Sequence, residues 1–389
     1  MTPAARISAA IGILDTILSG TPAEQALTGW ARRSRFAGSG DRAAVRDHVY
    51  QALRCRRSFA ALGGGETGRG MMIGALRAAG APLETLFGGT HHAPAPLTDA
   101  ERAHLAAAPN LDAGTRLDCP DWLMPALRES LGADFAAIMA ALRERAPVFL
   151  RANLLHTTRE GAIAALGRDG ITAEPHPLCE TALEVTSNAR RIRTGSAFAQ
   201  GLVEPQDAAS QAVIAALPDP GPGPVLDFCA GGGGKALALA ARFDRPVHAH
   251  DANPARMRDL PSRAARAGAR IEVTDGAALA GHEPFALVLV DAPCSGSGSW
   301  RRDPAGKWAL TPARLDELTR LQAGILDAAA AHVAAGGFLA YATCSLLDAE
   351  NSRQIDAFLD RGGWRELLRQ SFTPLDGGDG FFLAILRRP

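Results

Sequence analysis

Two cysteines in this chain follow short apolar runs. Residues Val290–Gly298 read VDAPCSGSG, which puts Cys294 just beyond the run Phe285 to Val290, and residues Tyr341–Asn351 read YATCSLLDAEN, with Cys344 closing a second such run. A lone cysteine usually behaves as a small buried hydrophobe, and Cys55, Cys119, Cys179 and Cys229 fit that role. A thiol at the mouth of a buried strand differs, because a helix start or a nearby cation can bring its pKa toward neutrality. Two of them together point to covalent activation of an otherwise unreactive carbon. The six cysteines include no C-x-x-C pair, so neither a zinc site nor a disulfide framework is expected, and a reducing cytosol fits.

A third stretch, DFCAGGGGKA from Asp227 to Ala236, leaves an apolar run and opens a helical one. Its glycines let backbone N–H groups approach a ligand closely. Gly231, Gly233 and Ala236 fit the weak G-x-G-x-x-[GA] dinucleotide pattern, whereas a phosphate-binding P-loop fails at Cys229 and Ala236. Asp227, Asp251, Asp275 and Asp291 stand at four successive strand ends. A carboxylate at the second strand end can take both ribose hydroxyls. Four acids suit a nucleoside ligand without polyphosphate, which favours S-adenosylmethionine over NAD; helix capping accounts for any one of them but poorly for all four.

The elements that must position these groups alternate. From residue 206 on, the helix PQDAASQAVIAAL is followed by a hinge-like PDPGPGP, then strands VLDFCA, PVHAHD, RIEVTD, FALVLVDAPC, FLAYATC and GFFLAILRR with helices between them, including one over TPARLDELTRLQAGILDAAAAHVAAGG. That rhythm predicts a doubly wound parallel sheet, whose ligands bind beyond the carboxyl ends of the strands. Every group named so far lies at such an end. Upstream, PVFLRANLL, GITAEPHP and ALEVTS read as short strands around the helix TREGAIAALGRDG, a small α/β unit. Residues 1 to about 90 read as helices over ISAAIGILDTIL, AEQALTGWARRSRF and SGDRAAVRDHVYQALRCRRSFAAL, the last with Asp41 as a possible cap and Val45, Val49 and Leu53 on one face. GGTHHAPAPLTD is a connector, in which His91 and His92 are loop residues.

The chain of 389 residues is long enough for two or three domains, and no apolar stretch is long enough to span a bilayer. The net charge is zero, which argues against bulk nucleic-acid binding but leaves local patches open. One such patch is Arg32, Arg33, Arg35, Arg42, Arg46, Arg54, Arg56 and Arg57, facing only Asp41 and Asp47: a solvated helix surface or a phosphate-contacting one. Of the 41 basic residues only Lys235 and Lys307 are lysines. A retained amine in an arginine-rich chain marks a place that needs a compact, rotatable donor.

In their order and content DFCAGGGGKA, VDAPCSGSG, YATCSLLDAEN and the terminal DGFF resemble the motifs of the Sun/RsmB-type RNA cytosine-C5 methyltransferases. QDAAS, LRANLLHTTRE and SWRRDPAGKW are also similar to family stretches, so the likeness runs from about residue 116 to the end, and the helical start is similar to the NusB-like RNA-binding domain of bacterial ribosomal members. The resemblance implies three parts: a NusB-like RNA-binding domain with connector over 1–115, a small α/β RNA-binding subdomain over 116–205, and a Rossmann-like S-adenosylmethionine-dependent domain over 206–389. It implies Cys344 as the nucleophile and Cys294 as the cysteine that assists product release, with Asp291 and Lys235 at the same edge. The cofactor site would comprise Cys229, Ala230, Gly231, Gly232, Gly233, Gly234, Lys235, Asp251, Asp275 and Asp291. The family commonly has Ala-Pro-Gly-Gly in the turn; the four glycines of this chain make a looser loop.

The expected reaction is methyl transfer from S-adenosylmethionine to C5 of a cytosine in RNA, 16S ribosomal RNA first and transfer RNA second, by a cytoplasmic monomer that needs neither metal nor membrane. An NAD-dependent oxidoreductase on the same fold leaves both cysteine motifs unexplained, and a catalytically idle RNA-binding adaptor would release no S-adenosylhomocysteine. A DNA cytosine methyltransferase would place its nucleophile in the Pro-Cys motif and give Cys344 no role.

Overall fold

The computed structural model describes residues 1–90 and 92–389, and His91 lies outside them. The chain divides into two compact units, one made of Met1–Arg145 with Trp300–Ala309 and the other of Ala146–Ser299 with Leu310–Pro389.

The first unit is helical. Five helices, α1 (Pro3–Leu18), α2 (Ala23–Arg33), α3 (Ser39–Arg54), α4 (Arg56–Gly63) and α5 (Gly68–Ala78), enclose a core in which Ile7, Leu14, Val45, Val49, Leu53, Met71 and Met72 are buried. Asp41 lies inside the first turn of α3 rather than at its cap: its carboxylate accepts the Gly38 amide at 3.3 Å and pairs with Arg6 at 2.8 Å. The single helix anticipated over residues 39 to 62 is broken at Cys55, where φ is −109° and ψ 35°. The break has a cause. Asp118 is fully buried and captures the start of α4, accepting the Ser58 amide at 2.8 Å and its hydroxyl at 2.7 Å, so those donors point at a carboxylate instead of up a continuous helix.

The strip Trp300–Ala309 completes this unit. Its helix Pro304–Ala309 packs on α3, with the Trp308 indole donating to the Leu53 carbonyl at 2.6 Å, the Lys307 ammonium to the Arg54 carbonyl at 3.0 Å, and Arg54 Nε to the Arg301 carbonyl at 2.7 Å. Lys307 is 1% exposed, and burial, opposed by the charge of Asp118, brings its pKa down to about 8 from an ordinary 10.5. The second of the two lysines is thus a donor to the orphan carbonyls at a helix end. Between pH 8 and 10.5 the unfolded chain keeps a proton here that the folded chain has shed, so stability rises with pH across that window. Relative to Lys307→Met, the wild-type protein should gain about 3 kcal/mol between those limits. Parallel urea-unfolding curves for the two proteins across the window would remove the ammonium from the buried site.

The second unit contains two sheets. Strands β1 (Val148–Ala152), β2 (Thr172–Pro175), β3 (Ala182–Ser187) and β4 (Val203–Pro205) form an antiparallel sheet in the order β2-β3-β1-β4, with helix Arg159–Arg168 packed on it. The three-residue β4 has too little alternation to be read from sequence. The larger sheet holds β5 (Val225–Asp227), β6 (Val247–Ala249), β7 (Ile271–Val273), β8 (Phe285–Asp291), β9 (Val333–Thr343), β10 (Arg365–Phe372) and β11 (Phe381–Arg387), in the order β10-β11-β9-β8-β5-β6-β7. Strands β7, β6, β5, β8 and β9 run parallel, but β11 pairs antiparallel with both β9 and β10. The sheet is thus mostly parallel, and β11 is antiparallel because the short link 373–380 from β10 cannot supply the crossover that a parallel neighbour needs. A correction concerns residues 333 to 337, anticipated as helical. The helix Pro312–Ala331 ends at His332, whose carbonyl accepts the Phe285 amide at 2.7 Å, and Val333 already belongs to β9. Among the described residues no helix is long and apolar enough to cross a membrane.

Candidate active site

The parallel strands β5 and β8, and β9 beside them, deliver the candidate residues to one edge. Val290 pairs with Tyr341 and Asp291 with Ala342 across β8 and β9, so the turns after these strands, carrying Cys294 and Cys344, are neighbours. The two sulfurs stand 3.4 Å apart. The Gly298 amide donates to the Cys344 carbonyl at 2.9 Å and further joins the turns.

The thiols are not equivalent. Cys344 is pushed below the usual thiol range, first because Cys294 donates a hydrogen bond to it, then against burial and Asp291, with the Lys235 charge and Ser299 assisting. Cys294 is pushed well above that range by the same hydrogen bond, by burial and by the negative charge on Cys344. The pair is therefore unequal: of the two thiols, Cys344 gives up its proton the more readily. Cys229 is a third thiol at the same edge, but burial, with three carboxylates nearby, raises it to about 12, so it stays protonated.

Lys235 opens the helix Gly234–Phe243 at the end of the glycine turn and is 8% exposed. Its ammonium lies 2.8 Å from Asp291 and 5.0 Å from the centre of the Phe381 ring, which comes from the DGFF stretch. Burial disfavours its charge, but Asp291 outweighs that and raises its pKa. Beneath this pair Asp227 is fully buried; neither carboxylate oxygen has a hydrogen bond of ordinary geometry, the Ala236 amide being a weak nearest donor. Burial first, and Asp291 second, push Asp227 up to about 7.

The turn itself is held from below. The Ala230 amide donates to the His250 carbonyl and the Gly233 amide to the Ala230 carbonyl, both at 2.8 Å. Gly233 has φ of +78°, and a Cβ there would fall 2.1 Å from the buried Leu260 side chain, so no larger residue fits. Cys229, Ala230, Gly231, Gly232, Gly234, Lys235, Asp291, Cys294 and Cys344 line one cavity of about 460 Å³, within the range of small-molecule sites.

Of the four acids anticipated for a nucleoside ligand only Asp291 stands in the wall of this cavity; Asp227, Asp251 and Asp275 do not line it, nor does Gly233. Asp251 is 5% exposed, accepts the Gly231 amide and the Asn253 amide at 2.9 Å each, and is covered by Arg256 at 3.3 Å. Asp275 is exposed and caps the helix Gly276–Ala280, one oxygen accepting the Ala278 amide at 2.8 Å. Sequence reasoning missed Ser210, Arg256, Arg314 and Leu318, which also line the cavity, and gave no role to Gln206, another lining residue, whose buried carbonyl oxygen lacks a partner. Gln206 and Ser210 belong to the QDAAS stretch, a signal that was present without a mechanism attached.

Comparisons with known proteins find ribosomal RNA methyltransferase relatives. A family model described as 16S rRNA methyltransferase RsmB/F matches residues 215–387, and one described as the RsmF/B-like ferredoxin-like domain matches residues 119–190. The chain is 36% identical over 293 residues to ribosomal RNA small subunit methyltransferase B of Enterobacter sp. (strain 638), covering 71% of this chain and 68% of that protein. It is 35% identical over 283 residues to the protein of the same name from Serratia proteamaculans, spanning 69% of this chain and 66% of the relative. A methyltransferase homologue from Pyrococcus horikoshii shares the fold, with a TM-score of 0.63 at 24% identity over 71% of this chain and 97% of that one.

Proposed function

Since this chain belongs to the 16S rRNA methyltransferase RsmB/F family, we propose that it transfers a methyl group from S-adenosylmethionine to C5 of a cytosine in RNA, with small-subunit ribosomal RNA as the substrate. The observation that carries this reading is the pair of unequal thiols 3.4 Å apart in the wall of a cavity shared with the glycine turn.

The donor set fits the proposed cofactor. The Asp291 carboxylate in the cavity wall suits a sulfonium charge. Gly231 to Gly234 and Lys235 would hold the amino-acid end; Asp251, once the exposed Arg256 swings aside, would hold the ribose, and the free oxygen of Asp275 the base. When bound there, S-adenosylmethionine supplies an electrophilic methyl group. Cytosine C5 is too weak a nucleophile to take that group unaided. The Cys344 thiolate adds to C6 and pushes electron density to C5. Charge building at N3 and O2 is neutralised by the proton that Lys235 holds against Asp291. The C5 proton then leaves to a base and the Cys344 thiolate is expelled. C6 is reachable only in an unstacked base, so the target is single-stranded or flipped.

The helical unit supplies a surface for that strand. Arg32, Arg33, Arg35 and Arg42 are exposed and have no acidic partner among the described residues, whereas Arg46 pairs with Glu24, Arg56 with Glu66 and Arg57 with Asp121. Three of the unpaired four, with Trp30, line a cavity of about 630 Å³, a combination of cations and an aromatic face suited to RNA. A reducing cytosol keeps the adjacent thiols free. Bisulfite sequencing of total RNA from a deletion strain should show lost methylation at small-subunit ribosomal cytosines; an unchanged map would overturn the reading.

One prediction concerns the donor site. Asp251→Ala should weaken S-adenosylmethionine binding by about 1.5 to 3 kcal/mol, the worth of hydrogen bonds to a charged group. The same change frees the Gly231 amide that shapes the turn. An unchanged dissociation constant by calorimetry would remove Asp251 from the site.

A further inference from the structure

Each cysteine is followed by a serine, and both serines end on one carboxylate. Glu350 is fully buried at the turn Asp348–Glu350. Its Oε1 accepts the Ser295 amide at 2.7 Å and Gln322 Nε2 at 3.0 Å, while its Oε2 accepts the hydroxyls of Ser295 and Ser345. Gln322 Nε2 also reaches the Cys294 turn itself, donating to the Pro293 carbonyl at 2.9 Å. Ser297 Oγ lies 3.0 Å from Ser345 Oγ and accepts the Leu346 amide at 2.8 Å, and the Tyr341 hydroxyl fixes the Glu350 backbone by donating to its carbonyl at 2.7 Å.

Four donors converge on two oxygens, so the site calls for an acceptor-only group. A protonated acid or an amide would turn a donor toward a donor. We propose that Glu350 is a positioning residue that clasps the Cys294 and Cys344 turns together and so sets the separation of the two sulfurs. The spacing stands on geometry alone; only its catalytic meaning rests on the proposed methylation.

The test reads the separation without RNA or cofactor. Oxidised glutathione converts the two thiols to a disulfide while it is itself reduced to two glutathione thiols, and the equilibrium reports the effective concentration of one cysteine at the other. The Cys294–Cys344 disulfide is quantified by peptide mass spectrometry. In Glu350→Gln that effective concentration should fall at least tenfold, and kcat for RNA methylation should fall at least tenfold with KM for S-adenosylmethionine unchanged. Should Glu350→Gln fail to fold, Ser345→Ala withdraws one donor and keeps the carboxylate, and at least a threefold fall is expected. A folded variant whose dithiol equilibrium stays within twofold of wild type overturns the clasp. A wild-type protein that methylates no cytosine while Glu350→Gln shifts the dithiol equilibrium overturns the reaction instead and leaves the clasp standing.

Discussion

Cys344→Ser is expected to abolish methylation while S-adenosylmethionine binding persists. A hydroxyl is negligibly ionised near neutral pH, whereas the Cys344 thiol already lies below its usual range because Cys294 donates to it. The serine is near in size and keeps a place in the same turn, whose shape depends on Ser345 and Glu350 rather than on the sulfur. The loss therefore falls on the addition to C6 and not on folding or donor affinity. It should exceed a thousandfold in a single-turnover assay with labelled donor, about 4 kcal/mol or more of transition-state stabilisation. Calorimetric binding of the donor should change less than twofold. Substantial methylation by the variant would take the nucleophile away from Cys344.

Cys294→Ala should instead leave the enzyme covalently attached to its RNA. Cys294 is held well above the usual thiol range first by its hydrogen bond to Cys344, then by burial, with the charges of Cys344 and Glu350 adding to it. Once Cys344 has bonded to C6 its sulfur is a neutral thioether, so the Cys344 charge is gone and its hydrogen bond weakened, while burial and Glu350 remain. Cys294 is then a better acid than before, and once it has passed its own proton to solvent it can take the C5 proton, which allows the Cys344 thiolate to depart. Alanine offers no such base. Attack and methyl transfer still occur, more slowly because Cys344 loses the hydrogen bond that lowers its pKa, elimination stalls, and a slow RNA-protein band accumulates on a denaturing gel. No band is expected from Cys344→Ser. The reverse pattern would assign the nucleophile to the Pro-Cys turn, and full turnover by both variants would make both cysteines packing residues.

Much of this site was legible because its residues stand where strand periodicity stops. Cys294, Cys344 and Asp291 follow apolar runs that could only be buried strands, and a parallel sheet gathers the ends of such strands. Less legible was anything set by pairing at a distance. β10, with its register shift between Glu366 and Leu368, buries only Phe372 of its residues at a sheet edge and so lacks the apolar run that marks a central strand. The break at Cys55 depends on Asp118, which is remote in sequence and carries no local signal. Glu350 was hidden for the same reason: in YATCSLLDAEN it reads as one more acid in a helix-like turn, and its worth appears only when Ser295 and Gln322 arrive from other elements. The amine count did point to two special places, but it could not distinguish Lys235, beside Asp291, from Lys307, under a helix end.

The strip Trp300–Ala309 sets a timetable for biosynthesis. The ribosome finishes Met1–Arg145 roughly 150 residues before it reaches the strip that completes that unit. At about 5 to 20 residues per second, the nascent helical unit waits for about 8 to 30 s. During that interval the Leu53 and Arg54 carbonyls at the end of α3 lack the indole and ammonium that later satisfy them, and the Arg54 guanidinium lacks the Arg301 carbonyl. The helical unit precedes Ala146–Ser299 in synthesis yet is completed after it, and a fragment ending at residue 145 would remain in that waiting state.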